Sequence, residues 1–192
     1  MKRPFVILVF CLLFASNALA QSRQKNVSTS SGTQAIIDIR QIDFKNFAYT
    51  LGAKTYKLRD GYYAETTVAG TQWELGIIDG LHYGDLTGDG KDEVAFVLSY
   101  GAAQSPNAAE ARVYTLQQGR PRLLATFVVA DSVSCRLDHY LEVYNGMIGV
   151  ERIYGSDALC EHNEVIQYRW SGGRFMPVGA AKRVACRCLE SE

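Results

Sequence analysis

From residue 36 onward, the apolar residues of this chain recur at about every second position, and this period constrains the fold more than any other feature. Successive side chains of a β-strand point to opposite faces, so a period near two is typical of strands that bury one face. β-branched and aromatic residues recur in these runs, and Gly, Asn, Asp and Pro separate them. Helical spacing is nearly absent. The pattern predicts an all-β protein of short antiparallel strands.

Twelve segments fit this description, and two pairs of them flank dipeptides that favour tight turns. Asp60-Gly61 and Asn145-Gly146 both accept the positive φ angles of a type I′ turn, which predicts two hairpins. The run 94–98 is apolar at every position, which predicts a central strand covered on both faces. The stretch 101–110 is small and polar, and is interpreted as a surface loop with a short helical turn at 107–111. The candidate strands are 36–39, 42–49, 55–58, 62–68, 73–78, 93–100, 112–116, 122–129, 137–144, 147–154, 164–170 and 174–178.

This number of short strands indicates an antiparallel sandwich or meander, with a barrel or a small propeller-like array as the alternatives. Propeller blades repeat along a sequence at intervals of about 40 to 50 residues. The chain shows no second copy of any segment at such a spacing. The sandwich or meander is therefore preferred.

The first twenty residues have the three parts of a secretory signal peptide. Lys2 and Arg3 precede an apolar run at 5–14, and Ala18-Leu19-Ala20 supplies the small residues that a signal peptidase reads. The run is shorter than the roughly 20 residues that span a membrane. We therefore expect cleavage after Ala20, no transmembrane segment thereafter, and a secreted or periplasmic protein. The polar stretch 21–34 is expected to be a flexible leader, and 35–192 a single β domain.

The charge balance excludes one class of partner. The chain has 20 Lys and Arg against 20 Asp and Glu, and loss of the two basic residues at 2 and 3 leaves a net charge of −2. A nucleic-acid-binding domain requires a clustered basic face, which this composition does not indicate. A protein or a glycan remains open as a partner, and the oligomeric state is not indicated.

Four cysteines remain after the expected cleavage: Cys135, Cys160, Cys186 and Cys188. An even number in an exported protein favours disulfides. Antiparallel pairing about Asn145-Gly146 brings Cys135 opposite Ser156, four residues before Cys160, which predicts a Cys135–Cys160 bridge at the base of this hairpin. The alternative is that Cys186 and Cys188 cross-link to Cys135 and Cys160, which ties the C-terminal tail to the hairpin.

The segment Asp85-Leu86-Thr87-Gly88-Asp89-Gly90-Lys91-Asp92-Glu93 carries the most specific chemical signal in the chain. Calcium prefers six to eight oxygen ligands, gathered on a tightly curved backbone. Oxygen-bearing side chains stand at positions one, three, five and nine of the segment, and position seven offers a carbonyl. Gly88 and Gly90 permit the positive φ angles that such curvature requires. The predicted metal ligands are Asp85, Thr87, Asp89, the Lys91 carbonyl and Glu93.

The same segment resembles the Asp-x-Asp/Asn-Gly-Asp-Gly-x-x-Asp loop of FG-GAP and VCBS repeats, the calcium-bearing loops of integrin α-type propellers. The match covers 83–98, with Thr87 in place of Asp or Asn and Glu93 in place of the last Asp. An EF-hand is excluded because Phe96 occupies the twelfth position, where that loop requires an acidic ligand. The resemblance implies a secreted binding or scaffold domain in which calcium stiffens a strand connection without metal chemistry. The alternative interpretation is a solvated β-turn with acidic side chains.

No catalytic constellation stands out in the sequence, so a non-enzymatic role in interaction or scaffolding is the leading hypothesis. The Gly-x-Ser-x-Gly elbow of serine hydrolases is absent, and the three histidines lack metal-binding spacing. A small cell-envelope hydrolase with a site around His82 or His139 is the second hypothesis. An inhibitor-like or ligand-binding module is the third, with an aromatic surface formed by Tyr62, Tyr63, Tyr83 and Tyr100.

Overall fold

The computed structural model describes residues 38–103, 108–130, 140–156 and 159–186. The described residues belong to one compact unit, Ala35–Glu192. The predicted signal peptide and polar leader lie outside the described residues.

The described part of the chain is all-β, as the sequence predicts, with antiparallel strands in three sheets that do not close into a barrel. The N-terminal hairpin consists of β1 and β2, the central sheet has the order β3-β4-β5-β6-β7, and the outer sheet has the order β11-β10-β9-β8, with β12 also paired to β10. The strands are β1 Ala48–Leu51, β2 Lys54–Lys57, β3 Tyr62–Thr66, β4 Gln72–Gly84, β5 Glu93–Ala102, β6 Ala108–Gln117, β7 Arg120–Ala130, β8 Leu141–Tyr144, β9 Met147–Ser156, β10 Leu159–Ser171, β11 Arg174–Pro177 and β12 Lys182–Val184.

Strand β5 lies in the middle of the central sheet and is buried on both faces, which confirms the prediction from its unbroken apolar run. Val94, Phe96 and Leu98 join the apolar cluster beneath the N-terminal hairpin. Ala95 and Val97 join the cluster that packs against the outer sheet. Because side chains alternate along a strand, one five-residue run supplies the core on both sides. The central sheet is therefore the middle layer of the fold.

The cluster beneath the N-terminal hairpin is mainly aromatic. Phe44 packs between Phe96 and Tyr114, with ring centroids 5.5 Å from each. Tyr49 of β1 is buried, and its hydroxyl donates a hydrogen bond to the Phe44 carbonyl at 2.6 Å. The hairpin thus covers the face of the central sheet that points away from the outer sheet. The buried hydroxyl of Tyr49 has its hydrogen-bond partner within this N-terminal region.

The first two predicted strands, 36–39 and 42–49, are largely wrong. Residues Ile39–Gln41 and Phe44–Asn46 form two 3₁₀ turns, and the first strand begins at Ala48. The Asp38 carboxylate accepts a hydrogen bond from the Arg40 amide at 2.8 Å, and Asp43 accepts one from the Asn46 amide at 3.2 Å. These aspartates cap each turn, and local capping here outweighs the apolar alternation.

The two predicted turns have different outcomes. Asn145-Gly146 joins β8 to β9 with Tyr144 opposite Met147, as predicted. Asp60-Gly61 also has positive φ at both residues, and the Arg59 and Tyr62 backbones exchange hydrogen bonds across it. However, the pairing across this turn is limited to the antiparallel bridge between Arg59 and Tyr62, because β2 pairs with β1 and β3 pairs with β4. The predicted turn forms, but it connects two sheets, and its flanking strands do not pair further as the predicted hairpin requires. Turn chemistry determines the local bend but not the strand partner.

The structure differs from the sequence predictions in two further places. The predicted helical turn at 107–111 is wrong, because β6 begins at Ala108. The short strand Lys182–Val184 was not predicted, and it pairs with β10 at Asn163–Val165.

The described disulfide joins Cys160 to Cys186, with their Cα atoms 6.0 Å apart. A cysteine forms one disulfide, so the predicted Cys135–Cys160 bridge is corrected: the Cys160 sulfur is bonded to the C-terminal tail. This pairing belongs to the alternative in which the tail is tied to the hairpin. Cys135 and Cys188 lie outside the described residues.

Candidate functional site

The candidate calcium loop connects β4 to β5 and is fixed at both ends by buried apolar side chains. Leu86 is buried in the cluster between the central and outer sheets, and Val94 is buried beneath the N-terminal hairpin. The turn between β8 and β9 lies against the loop, since a Cβ atom placed on Gly146 would stand 3.5 Å from the Asp85 carbonyl oxygen. Gly88 and Gly90 have φ angles of 78° and 82°, as the sequence predicts. The backbone therefore has the tight curvature that an oxygen cage requires.

Asp85 organises the outer half of the loop through its carboxylate. One oxygen accepts a hydrogen bond from the Gly88 amide at 2.7 Å, and the other accepts one from the Gly90 amide at 2.9 Å. Asp89 is exposed and accepts a hydrogen bond from the Lys91 amide at 2.9 Å. A carboxylate has about four acceptor sites, so both groups keep lone pairs for a further partner.

Glu93 takes a different position from the other predicted ligands, because it is fully buried at the start of β5. Its Oε2 accepts hydrogen bonds from the Leu86 amide at 2.9 Å and the Thr87 amide at 3.0 Å. Its Oε1 accepts hydrogen bonds from the hydroxyls of Thr115 at 2.9 Å and Thr87 at 3.4 Å. The acceptor capacity of this carboxylate is thus largely used inside the protein. Glu93 fastens the base of the loop.

Electrostatics at Glu93 reflect this burial. Desolvation raises the pKa of the Glu93 carboxyl, and the hydrogen bonds from Thr115, Leu86 and Thr87 act in the opposite direction. The negative charge of Asp89 adds a smaller upward contribution to this pKa. The charge of Asp89 therefore acts on the Glu93 carboxyl across the loop.

Asp92, which the sequence did not place among the ligands, is engaged in an ion pair. Arg40 contacts the Asp92 carboxylate at 2.6 Å through Nη2 and at 2.8 Å through Nε. The same guanidinium lies 4.6 Å from the centroid of the Tyr83 ring. This contact fastens the first 3₁₀ turn to the loop.

The predicted ligands lie on one loop, with Glu93 turned into the core and Asp89 exposed. No group of three or more His, Cys, Asp and Glu side chains suited to a metal ion occurs among the described residues. The acidic side chains available on the exposed part of the loop are Asp85 and Asp89, and the Thr87 hydroxyl is directed to Glu93. These residues offer fewer carboxylates than the sequence suggests.

The second hypothesis places chemistry at His82 or His139. His82 Nε2 lies 2.6 Å from the Asp79 carbonyl oxygen, and the Asp79 carboxylate accepts hydrogen bonds from the amides of Tyr140 and Leu141 at 2.7 and 3.0 Å. Asp79 therefore fastens the start of β8 to a bulge in β4, which is a structural role. His139 lies outside the described residues.

The role of Asp79 was missed by sequence reasoning, although a signal for it exists. Asp79-Gly80 is a turn-type dipeptide between Ile78 and Leu81, and both of its residues have positive φ. The strand register shifts between Ile78 and His82, so the dipeptide forms a bulge within one long strand. An acidic residue at a bulge is well placed to bind backbone amides of a second sheet.

The aromatic surface of the third hypothesis does not form as one patch. Tyr63, Tyr83 and Tyr100 pack against the cluster beneath the N-terminal hairpin. Tyr62 precedes Tyr63 on the same strand, so it points to the opposite face, where 47% of its surface is exposed. Tyr63 instead packs with Tyr56 and Trp73, whose rings stack at 4.5 Å.

Comparison of the chain with protein-family models, with curated proteins and with solved structures gives no match. The described part of the chain has no helix of the length and apolar character needed to cross a membrane.

Proposed function

We propose that this chain is an exported, non-enzymatic β domain that acts in interaction or scaffolding, and that the loop between β4 and β5 binds one calcium ion. The observation that carries the proposal is the inward orientation of Asp85, both of whose carboxylate oxygens accept amides from a glycine-curved loop. The resemblance of the sequence to FG-GAP and VCBS calcium segments supports the same proposal.

In this proposal the ion is bound by the carboxylates of Asp85 and Asp89, by Thr87, by the Lys91 carbonyl and by water. Calcium accepts waters and carbonyls alongside carboxylates, so two carboxylates are compatible with a weak site. Glu93 supports the loop from below, because its oxygens already accept backbone amides and hydroxyls. The ion neutralises the repulsion between neighbouring acidic groups and stiffens the strand connection. Its role is structural.

Calcium binding is tested by calorimetric titration and by thermal unfolding in calcium and in EDTA. We expect binding heat and a rise in melting temperature with calcium, since a ligand that binds only the folded state stabilises it. Asp89→Ala should abolish both effects. Asp92→Ala is the matched control, because it removes an equal charge from the same loop but from a side chain paired with Arg40. Absence of heat and of stabilisation in the native protein would refute calcium binding.

Export is supported by the signal-like N-terminus and by the Cys160–Cys186 disulfide, which is compatible with an oxidising compartment. N-terminal sequencing of protein expressed with its own leader should begin at Gln21. A cytoplasmic protein that retains Met1 would contradict export.

A further inference from the structure

Four steps of the chain place a glycine directly after an aspartate or an asparagine. Three are Asp-Gly steps, which begin at Asp60, Asp79 and Asp89, and one is an Asn-Gly step, which begins at Asn145. At such a step the backbone nitrogen of the second residue attacks the side-chain carbonyl carbon of the first, and the chain closes into a succinimide ring. Glycine favours this attack, because it has no Cβ atom to crowd its nitrogen. All four steps lie within the described residues.

The attack requires a free glycine amide and an accessible carbonyl group on the residue before it. An amide that donates a hydrogen bond must first break that bond, which slows the reaction. An ionised carboxylate is also a poorer electrophile than a neutral carboxamide, because its negative charge opposes the addition of a nucleophile. The hydrogen bonds around each step therefore determine which of the four reacts.

Each Asp-Gly step has one of its two reacting groups engaged. The Gly61 amide donates a hydrogen bond to the Lys45 carbonyl at 2.7 Å. The Gly90 amide donates one to the Asp85 carboxylate at 2.9 Å. In the remaining step it is the carboxylate that is held, since Asp79 is almost fully buried and accepts hydrogen bonds from two amides at the start of β8.

The Asn145-Gly146 step has neither restraint. Asn145 is exposed in the turn between β8 and β9, and its carboxamide carries no charge. Neither this side chain nor the Gly146 amide has a hydrogen-bond partner among the described residues. Both residues lie between the paired Tyr144 and Met147, so the two reacting groups are outside the strand ladder.

We propose that Asn145 is a site of spontaneous deamidation, at which the folded protein is converted to a mixture of its aspartate and isoaspartate forms. The Gly146 nitrogen forms a bond to the Asn145 Cγ atom, and the side-chain NH₂ group leaves with the amide proton as ammonia. Water then adds to one of the two succinimide carbonyls and breaks its bond to the ring nitrogen. Hydrolysis at the side-chain carbonyl gives aspartate, and hydrolysis at the main-chain carbonyl gives isoaspartate. Water is the co-reactant, and each product carries one new negative charge.

The isoaspartate product also changes the geometry of the turn. Its main chain runs through the former side chain and so gains a carbon atom, in a turn whose length fixes the register of β8 and β9. The turn packs against the candidate loop, because a Cβ atom on Gly146 would stand 3.5 Å from the Asp85 carbonyl oxygen. The aspartate product keeps the original main chain and tolerates the positive φ angle of 48° at position 145. The two products therefore differ in stability although they have the same charge.

Incubation of the native processed protein in mildly alkaline buffer made with ¹⁸O-labelled water tests the proposal. Peptide mass spectrometry should show aspartate and isoaspartate at position 145, each with one ¹⁸O atom, at a higher rate than isomerisation at any Asp-Gly step. The urea-unfolded chain provides the reference rate for each step. Faster conversion at an Asp-Gly step of the folded protein would overturn the proposal. So would an unchanged Asn145 after a time in which the unfolded chain reacts.

Asp60→Asn is the matched control for the role of the hydrogen bond. It creates a second exposed Asn-Gly turn, and its two φ angles of 53° and 87° are positive like those of the native Asn-Gly turn. The Gly61 amide is bonded to the Lys45 carbonyl, so we expect deamidation at position 60 to be about tenfold slower than at position 145 in the folded variant. In urea the two rates should be comparable. Equal rates in the folded variant would show that the hydrogen bond does not select the site.

The change in turn geometry is tested separately from the change in charge. Asn145→Asp carries the charge of the deamidated protein on the original main chain. Deamidated protein, freed of unreacted chain by anion exchange, should therefore melt at a lower temperature than Asn145→Asp, in proportion to its isoaspartate content. Equal melting temperatures would overturn the predicted effect of isoaspartate on the turn.

Discussion

At the scale of single residues, Glu93 is the group on which the candidate site depends most. Its two oxygens accept the Leu86 and Thr87 amides and the Thr115 hydroxyl within a fully buried environment. Truncation in Glu93→Ala leaves these donors without a partner, and each unsatisfied buried donor costs about 1–3 kcal/mol. We therefore expect a loss of roughly 3–5 kcal/mol in the free energy of unfolding, measured by urea denaturation in EDTA.

The pH dependence of stability provides an independent prediction for the same carboxyl. Burial raises the folded-state pKa of Glu93, so the folded chain binds the proton more tightly than the unfolded chain. The stability that Glu93 contributes is therefore fully present below its unfolded pKa of about 4.5 and decreases as pH rises through the folded pKa. Glu93→Gln is neutral and keeps one oxygen for the two amides. Its stability relative to the native chain should rise between pH 4 and pH 7, and a flat difference would contradict the assignment.

At the scale of elements, the N-terminal hairpin is fastened to the central sheet by a buried arginine. Arg112 on β6 is 6% exposed, pairs with Glu110 on its own strand, and donates a hydrogen bond from Nη2 to the Thr50 carbonyl of β1 at 3.0 Å. Removal of one partner from a buried ion pair leaves an uncompensated charge, at a cost of about 3–5 kcal/mol. We expect Arg112→Ala to lower stability by this amount and to increase hydrogen exchange in β1 and β2.

A double variant separates the charge from the contact. Arg112→Met with Glu110→Gln removes both charges and fills most of the volume, so it should recover much of the loss. Hydrogen exchange in β9 and β10 is the internal reference, because those strands lie on the other side of the central sheet. Equal acceleration in all strands would show that Arg112 does not act on the hairpin.

At the scale of the whole molecule, the sequence predicts the class and most of the strands but not how the sheets are assembled. The alternating pattern and the dipeptide Asn145-Gly146 act between neighbours, so they determine β8, β9 and the turn between them. Asp60-Gly61 fixes a turn equally well, yet β2 pairs with β1, and Tyr49 of β1 packs against Phe96 of β5 and Tyr114 of β6, which are distant in sequence.

In the candidate site too, some features depend on neighbouring residues and can be predicted, whereas others depend on residues that are distant in sequence. The glycines of the loop are predictable because their φ angles are local. The inward turn of Glu93 is not predictable, because it depends on Thr115 of β6, twenty-two residues away along the chain. Long-range pairing therefore decides which acidic residue supports the loop and which ones remain available to a ligand.

Removal of the Cys160–Cys186 disulfide tests whether the C-terminal tail stays packed on the domain without it. It closes a segment with a sequence separation of 26 residues, and β12, which it holds against β10, has only three residues. The chain-entropy model gives such a loop about 3.5 kcal/mol of stabilisation. We expect Cys186→Ser to lower the free energy of unfolding by up to this amount in urea denaturation. Tight packing of the tail on its own would instead leave the amides of β12 protected from hydrogen exchange in Cys186→Ser, with little change in stability.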